Sequence, residues 1–554
     1  MACEMQKVVV VGGVAGGATF AARLRRLSEH VQIVMLERGR YISFANCGLP
    51  YHIGKVIPER ERLLLQTPEG MRKRYNIDVR TRHEALSIDR HNKKLLVRNL
   101  DTGEEYEEPY DVLVLSPGAK PLKPPLPGID HPRIKTLRDI EDMDGIIHEL
   151  DRLQHAQISV VGGGFIGLEM AENLQALGHH ISIIEMADQV MPQLDRELAS
   201  ILHSHLREKG VRLVLSDRVS SFEPDGEGVR LNLSSGETVQ ADFVLLSMGV
   251  RPESQLAVEA GLESGPRRGI LVDNTLRTVD PSIYAVGDAV EIAMEDGSIT
   301  WTPLAGPANR QARLLADRLC GKDVIYRGAQ GTAIAKVFDM VVAATGKSER
   351  ALRTDGADVL SCVTFSGSHA GYYPGATPLV LKLVFGKDGR LFGAQVIGKA
   401  GVDKRIDVLA TALRLGATVQ QIADLELAYA PPFGGAKDAV NIAGYVASNI
   451  VEGDLEVAGW QDVLQRDSGT LLLDVRDRKE WDEGHIEGAI HIPLTELRQR
   501  LDEIPPQSEV IVYCRMGQRG WAAARILEQN QIRARNLSGG WVLFKQVIDD
   551  LEAS

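Results

Sequence analysis

Two of the chain's five cysteines stand in settings built for sulfur chemistry. Cys47 lies in SFANCGLPY and Cys514 in VYCRMGQRG, and neither has a second cysteine close by. A thiolate without a nearby partner does not close a local disulfide; its chemistry is with sulfur on another molecule. Cys514 opens a six-residue loop, Cys514–Arg519, read between an apolar strand and a helix. Such a loop aims successive backbone N–H groups inward, and the helix dipole adds positive potential. Arg515 and Arg519 strengthen that field, which lowers a thiol pKa and stabilises a persulfide anion. The competing reading is a buried structural cysteine. Cys3 sits at the terminus. Cys320 and Cys362 lack charged or motif context and read as inert core thiols.

The elements that must position these thiols are two βαβ units. In the second, the strand Ile158–Val161 runs into Gly162-x-Gly164-x-x-Gly167, a helix over Leu168–Leu177, and a strand Ile181–Ile184 closed by Glu185. The first glycine permits the tight turn, the second admits a pyrophosphate, and the third lets helix and strand pack closely. A carboxylate at Glu185 accepts from ribose hydroxyls and repels a 2′-phosphate, which favours NADH over NADPH. The first unit runs from Lys7–Val11 through Gly12-Gly13-Val14-Ala15-Gly16-Gly17 to a helix over Ala18–Leu27 and a strand Gln32–Leu36 closed by Glu37. Here Val14 takes the place of the second glycine. Two dinucleotide folds in one chain predict FAD in the first and NAD(P)H in the second, with hydride passing to a bound flavin. Asp288, in GDAVE after the strand Ile283–Val286, suits the ribitol chain of FAD, although Gly-Asp alone is also a turn dipeptide.

Beyond these units, PPLPG at Pro124–Gly128 marks a crossover between domains. Residues 331–449 mix strand-like runs (Leu379–Val384, Leu391–Ile397) with a helical stretch (Asp403–Leu415). Val451–Val457 reads as a short acidic linker, reaching at most about 25 Å when extended. The last hundred residues restart an α/β pattern, with strands at Leu471–Val475 and Val510–Tyr513. With 63 basic and 75 acidic residues the net charge is −12, so no nucleic-acid partner is expected. No signal peptide is visible at Met1–Lys7, and no apolar run approaches the roughly 18 residues of a spanning helix. Five cysteines in 554 residues suit a reduced, cytoplasmic setting with no membrane partner. No metal site is expected.

GGVAGGATFAARLRRL, SFANCGLPY, GGGFIGLEMAENL, TVDPSIYAVGDAVE and YAPPFGGAKDAVN together resemble the single-cysteine flavin disulfide reductases, and within them the coenzyme A-disulfide reductases. LLLDVRDRKEWDEGHIEGAIHIP, IVYCRMGQRG and NLSGGW resemble a rhodanese domain. The resemblance implies an α/β chain with an FAD-binding domain (1–120 with 273–328), an NAD(P)H-binding domain (121–272), an α+β dimerisation domain (329–450), a linker (451–458) and a C-terminal α/β rhodanese domain (459–554). It implies a homodimer that acts on coenzyme A persulfide, polysulfide or coenzyme A disulfide through Cys47, with sulfane sulfur carried on Cys514. A six-residue loop, by the same resemblance, is the sulfur-transferring type. Asp474, Arg476 and Glu480 then belong to the rhodanese framework, and His485 is structural.

Arg23 and Arg26 lie three apart on one helix face and suit phosphates, although a bare pair reads as a solvated face. The resemblance directs them to the phosphates of coenzyme A, with Thr19, Ser43 and Asn46 in contact and Arg74 and Lys437 adding charge. It makes Tyr429 the residue that reaches the active sulfur from a partner subunit, with Tyr372 or Tyr373 as a second. The competing branch, NADH oxidases and peroxidases cycling a sulfenic acid, carries a histidine in the first glycine loop, and this loop has none. Dithiol reductases need Cys-x₄-Cys, and no cysteine follows within Gly48–His52. A third reading is a sulfurtransferase with a regulatory flavin scaffold.

Overall fold

Short β-branched runs such as KVVVV are buried along almost their whole length, as strands covered on both faces by helices must be. The computed structural model describes residues 5–505 and 508–553. The chain divides into two units. One runs to Ile184 and resumes from Arg218 to Ala329; the other takes Glu185–Asp217 and the described residues from Gln330 onward.

The first unit contains two parallel sheets. Its first sheet uses β1 (Lys7–Val11), β2 (Gln32–Glu37), β3 (Asp78–Thr81) and β4 (Val112–Leu115), with a last strand from far along the chain (Ile283–Ala285). The spatial order places that late strand beside β4, then β1, β2 and β3. In register, Val9 pairs with Val34 on one side and Leu113 on the other. Helix α1 (Ala15–Leu27) covers this sheet, joined by Ala305–Leu319, and Val8, Val9, Val10, Phe20 and Leu24 are fully buried between them. The second sheet centres on β5 (Gln157–Val161), flanked by β6 (His180–Ile184) and β7 (Phe243–Leu246), with Ile134–Thr136 at the edge. Helix α2 (Phe165–Ala176) follows β5. The late strand, Ile283–Ala285, is β8.

The two glycine turns have the same construction. Gly12 and Gly162 have φ of +100° and +112°, where a side chain is strained. A Cβ on Gly17 would stand 1.9 Å from Gly12 O, and one on Gly167 2.1 Å from Gly162 O. The first and third glycines are therefore demanded by the chain's own packing. Gly164 differs: a Cβ there meets nothing within 4 Å.

The second unit is built on an antiparallel five-stranded sheet, in the order Ala333–Val337, Met340–Gly346, Leu391–Gly398, Pro378–Phe385, Leu360–Gly367. Two helices, α3 (Val402–Leu415) and α4 (Ala439–Val451), close its core around Leu381, Leu383 and Leu409. Helix Arg196–Glu208 belongs to this unit, not to the unit that holds β5 and β6. After α4, the chain enters a parallel sheet in the order Val457–Ala458, Ala534–Leu537, Glu509–Tyr513, Thr470–Asp474, Ile490–His491. Helices α5 (Gln518–Gln529) and α6 (Gly540–Glu552) belong to this last domain. The acidic residues 454 and 456 before it are tied to Arg525 and Arg533. The predicted class holds: two Rossmann-like sheets, an α+β domain and a C-terminal α/β domain. No helix among the described residues is long and apolar enough to cross a membrane.

Candidate active site

Cys47 lies in a 3₁₀ turn, Asn46–Gly48, that leads directly into the short helix Leu49–Ile53. It is a free, exposed cysteine. Its backbone N–H donates to Asn46 Oδ1 at 3.1 Å, so Asn46 shapes the turn that presents the sulfur. Crowding around the sulfur, then the Glu169 carboxylate, then that of Asp288 push the thiol above its ordinary range. Glu169 stands on α2, two residues after Gly167, and accepts a 3.4 Å hydrogen bond from Tyr51. Burial raises Glu169 in turn, and burial followed by Glu169 pushes Tyr51 up to about 12. The sequence does not mark Glu169 or Tyr51 as partners of Cys47. Their only signal is Glu169's place just past the third glycine, and nothing local aims that position at a thiol.

The first glycine turn fits a dinucleotide. Helix α1 begins at Ala15 with no side-chain cap and no acid in its first turn, which leaves its N–H groups to an anion. Gly16 lies so close to Ser116 that a Cβ would stand 2.5 Å from Oγ. Asp288 is crowded by burial alone to a pKa of about 6, and its carboxyl has no hydrogen-bond donor among the described residues. A half-buried acceptor without a donor suits the hydroxyls of a ribitol chain. Glu37, expected among the cofactor-binding residues, accepts from Gly13 N at 2.8 Å and Gly39 N at 2.7 Å, bracing the loop. In the second turn, α2 likewise begins without a cap or an acid, and Gly164 opens on free space. Glu185 follows β6 directly, and its carboxylate accepts from Ala187 N at 2.8 Å.

The residues expected at coenzyme A divide. Arg23 is held by Asp317, with Nη2 at 2.6 Å and Nε at 2.9 Å from Oδ1. Thr19 donates to Asn309 Oδ1 at 2.6 Å. Arg26 is exposed and lies 5.8 Å over the ring of Tyr75, next in sequence to the exposed Arg74, so these two cations share one face. Ser43 has φ of 45° and is bound through its backbone to Gly13 O. Arg25, the neighbour of Arg26 in sequence, is buried and donates to the carbonyls of Val31, Tyr75 and Asn76, a structural task.

In the second unit, Tyr429 and Tyr372 are exposed and hydrogen-bonded to each other at 2.7 Å. Tyr373 packs edge-on against His369, and Phe433 and Lys437 are exposed nearby in sequence to Tyr429. These side chains form an unsheltered aromatic surface.

Cys514 ends its strand almost completely buried, and its sulfur accepts from Gly517 N at 3.2 Å. Gly539 and Gly540, of the NLSGGW motif, have positive φ, and a Cβ on Gly540 would stand 2.6 Å from Cys514 O. The loop is shorter than expected. Helix α5 starts at Gln518, so Arg519 lies in its first turn, where it pairs with Glu480 at 2.7 and 2.8 Å and with Asp477 at 3.4 Å. Its charge is therefore shared with two carboxylates, and Arg515, the loop's other cation, is exposed. Asp474 and Arg476 form a buried pair at 2.6 Å, with Arg476 5.0 Å over Trp541, and His485 stacks on Trp481 at 3.6 Å. These are framework contacts. Cys362 is buried and pushed up to about 12. Cys320 is not an inert free thiol: it is disulfide-bonded.

Two dinucleotide turns, one exposed thiol and a second thiol in an amide-lined loop define a redox enzyme joined to a sulfur carrier. Residues 6–312 match the pyridine nucleotide-disulphide oxidoreductase family, 332–439 its dimerisation domain, and 458–546 the rhodanese-like domain. The coenzyme A disulfide reductase of Staphylococcus haemolyticus is 36% identical over 449 residues, 80% of this chain and the whole of that protein. The crystal structure of reduced CoADR-RHD from Bacillus anthracis is 48% identical, covers 98% of each chain and superposes with a TM-score of 0.95. An NAD-dependent persulfide reductase from A. fulgidus is 39% identical over 97% of this chain and all of its own, with a TM-score of 0.90. The chain belongs to the pyridine nucleotide-disulphide oxidoreductases, in their coenzyme A disulfide reductase branch, extended by a rhodanese domain.

Proposed function

We propose that the chain is an FAD-dependent, NADH-oxidising reductase of coenzyme A persulfides, polysulfides or coenzyme A disulfide, working as a homodimer. The observation that carries this reading is Cys47: free, exposed, without a second thiol in its turn, and set beside Glu169 and Asp288. Bound at the Gly12–Gly17 turn, FAD supplies the two-electron path from NADH to this sulfur.

The Cys47 thiolate attacks the outer sulfur of a coenzyme A persulfide. The S–S bond breaks, coenzyme A leaves as its thiolate, and Cys47 keeps the sulfane sulfur. Two electrons, with the protons they require, then release sulfide and restore the thiol. With coenzyme A disulfide the same attack gives a mixed disulfide, and reduction releases a second coenzyme A thiol. Burial raises Glu169 above an ordinary glutamate, and its carboxylate beside Cys47 disfavours the resting thiolate. Arg26 and Arg74 offer charge to the nucleotide phosphates, while Arg23 must first exchange Asp317 for them. The exposed Tyr372–Tyr429 pair is suited to a partner subunit's sulfur site. Cys514 holds sulfane sulfur against the Gly517 amide for delivery.

The test follows NADH oxidation with polysulfide, coenzyme A persulfide, coenzyme A disulfide and peroxide. Sulfur substrates should turn over well ahead of peroxide, and Cys47→Ser should abolish that turnover. Full turnover in Cys47→Ser sinks the reading.

A further inference from the structure

Between Glu185 and helix Arg196–Glu208 the chain makes a tight excursion whose interior is sealed: Gln189, Val190, Met191 and Leu194 are buried. Its ties lead to the last helix of the carrier domain. His203 Nε2 accepts from Val190 N at 3.0 Å, so the ring proton is on Nδ1, which faces Asp550 at 2.9 Å. His203 and Asp550 are fully buried. Burial lowers the His203 pKa, which keeps the imidazole neutral and preserves this tautomer. Asp550 also receives Arg196 at 2.7 Å, Arg207 at 2.6 Å and Ser200 at 2.9 Å. Arg196 reaches back to Asp188 O. Two routes thus run from one carboxylate on α6 to the backbone of the segment that follows Glu185.

The opposite side of the segment is held by the antiparallel-sheet domain. Asp195 accepts from Glu349 N and Arg350 N, and Arg350 reaches Asp188 Oδ1 and Gln189 Oε1. Lys382, fully buried, meets Asp195 at 2.9 Å, Glu197 at 2.5 Å and Glu349 at 2.8 Å.

We propose that Asp550 is a positioning residue for pyridine-nucleotide binding, holding residues 186–195, and through them Glu185, in the conformation that receives the adenosine ribose. The carrier domain is then a structural part of the reductase, beyond its role in bringing sulfur. This rests on the reading of Glu185 as the ribose carboxylate.

The experiment uses the full-length holoenzyme. Asp550→Asn keeps the shape and removes the charge. It should raise both the KM for NADH and the dissociation constant from a fluorescence titration by about tenfold, the scale expected when a support rather than a contact is lost. The kcat, the flavin content and thiosulfate-to-cyanide sulfur transfer should stay within about twofold. Amide exchange should quicken at 186–195. A purely structural role would lower the unfolding temperature and leave NADH affinity alone, and that result overturns the proposal. Should Asp550→Asn not fold, Arg196→Gln frees Asp188 O while keeping the His203–Asp550 contact, and unchanged NADH affinity there overturns it equally. Glu185→Ala separates the two levels. If it weakens NADH while the clamp variants do not, the positioning role fails alone; if it has no effect, the ribose reading falls and takes the proposal with it.

Discussion

At Cys47 the surroundings work against the thiolate. Crowding disfavours the charge, and Glu169 and Asp288 add like-charge repulsion, all in the same direction. Removing the Glu169 charge must therefore lower the thiol pKa. In Glu169→Gln, iodoacetamide alkylation of Cys47 should follow a pH profile displaced to lower pH, with faster reaction at neutral pH. An unmoved or upward-moved profile would refute the electrostatic account. Cys47 itself was legible because its flanking residues carry a pattern. Glu169 was not, because its effect depends on a contact between segments more than a hundred positions apart. The same limit explains Arg23, whose spacing from Arg26 reads as a phosphate face until Asp317 comes across to it.

For the elements, the glycine turns separate two demands that a sequence fingerprint merges. Gly167 is required by its own fold, since a Cβ would strike Gly162 O, whereas Gly164 faces open space. Gly167→Ala should cost about 1–3 kcal/mol of stability, the usual penalty for overpacking. Gly164→Ala has φ of −81°, open to any residue, and should leave the unfolding temperature within a degree or two while weakening NADH binding. Parallel loss of stability in both variants would show that the distinction is not real. Strands were read well because runs such as Lys7–Val11 are buried on both faces, which the composition announces directly. The sequence marks the start of α5 less clearly. Gly517 at φ +108° turns the chain early, and that moves Arg519 out of the loop and onto Glu480.

Across the whole molecule, the joint made by Asp550 should be sensitive to acid. Burial alone would raise this carboxyl; hydrogen bonds from His203, Arg207 and Ser200 hold it at about 2. An unfolded aspartate titrates near about 3.9. The stability it contributes is complete above that value and is lost as pH falls through about 2. Amide protection of Arg196–Glu208 and Gly540–Glu552 should fade over that window. Asp550→Asn should flatten this dependence, at a cost of about 3–5 kcal/mol at neutral pH for a buried charge cluster broken from one side. An acid slope identical to that of the parent would refute it. None of this joint is visible in the sequence, where residues 196–208 fall inside the expected NAD(P)H-binding domain, 121–272. The late strand β8 has a consequence of another kind. It pairs with β4, yet the ribosome delivers it only after the whole second sheet has been made. At about 5–20 residues per second, β4 waits roughly ten to thirty seconds with one edge unpaired. During that interval the growing chain offers a sticky border to its neighbours on the polysome. Slower synthesis lengthens that exposure and should raise the share of nascent chains lost to aggregation.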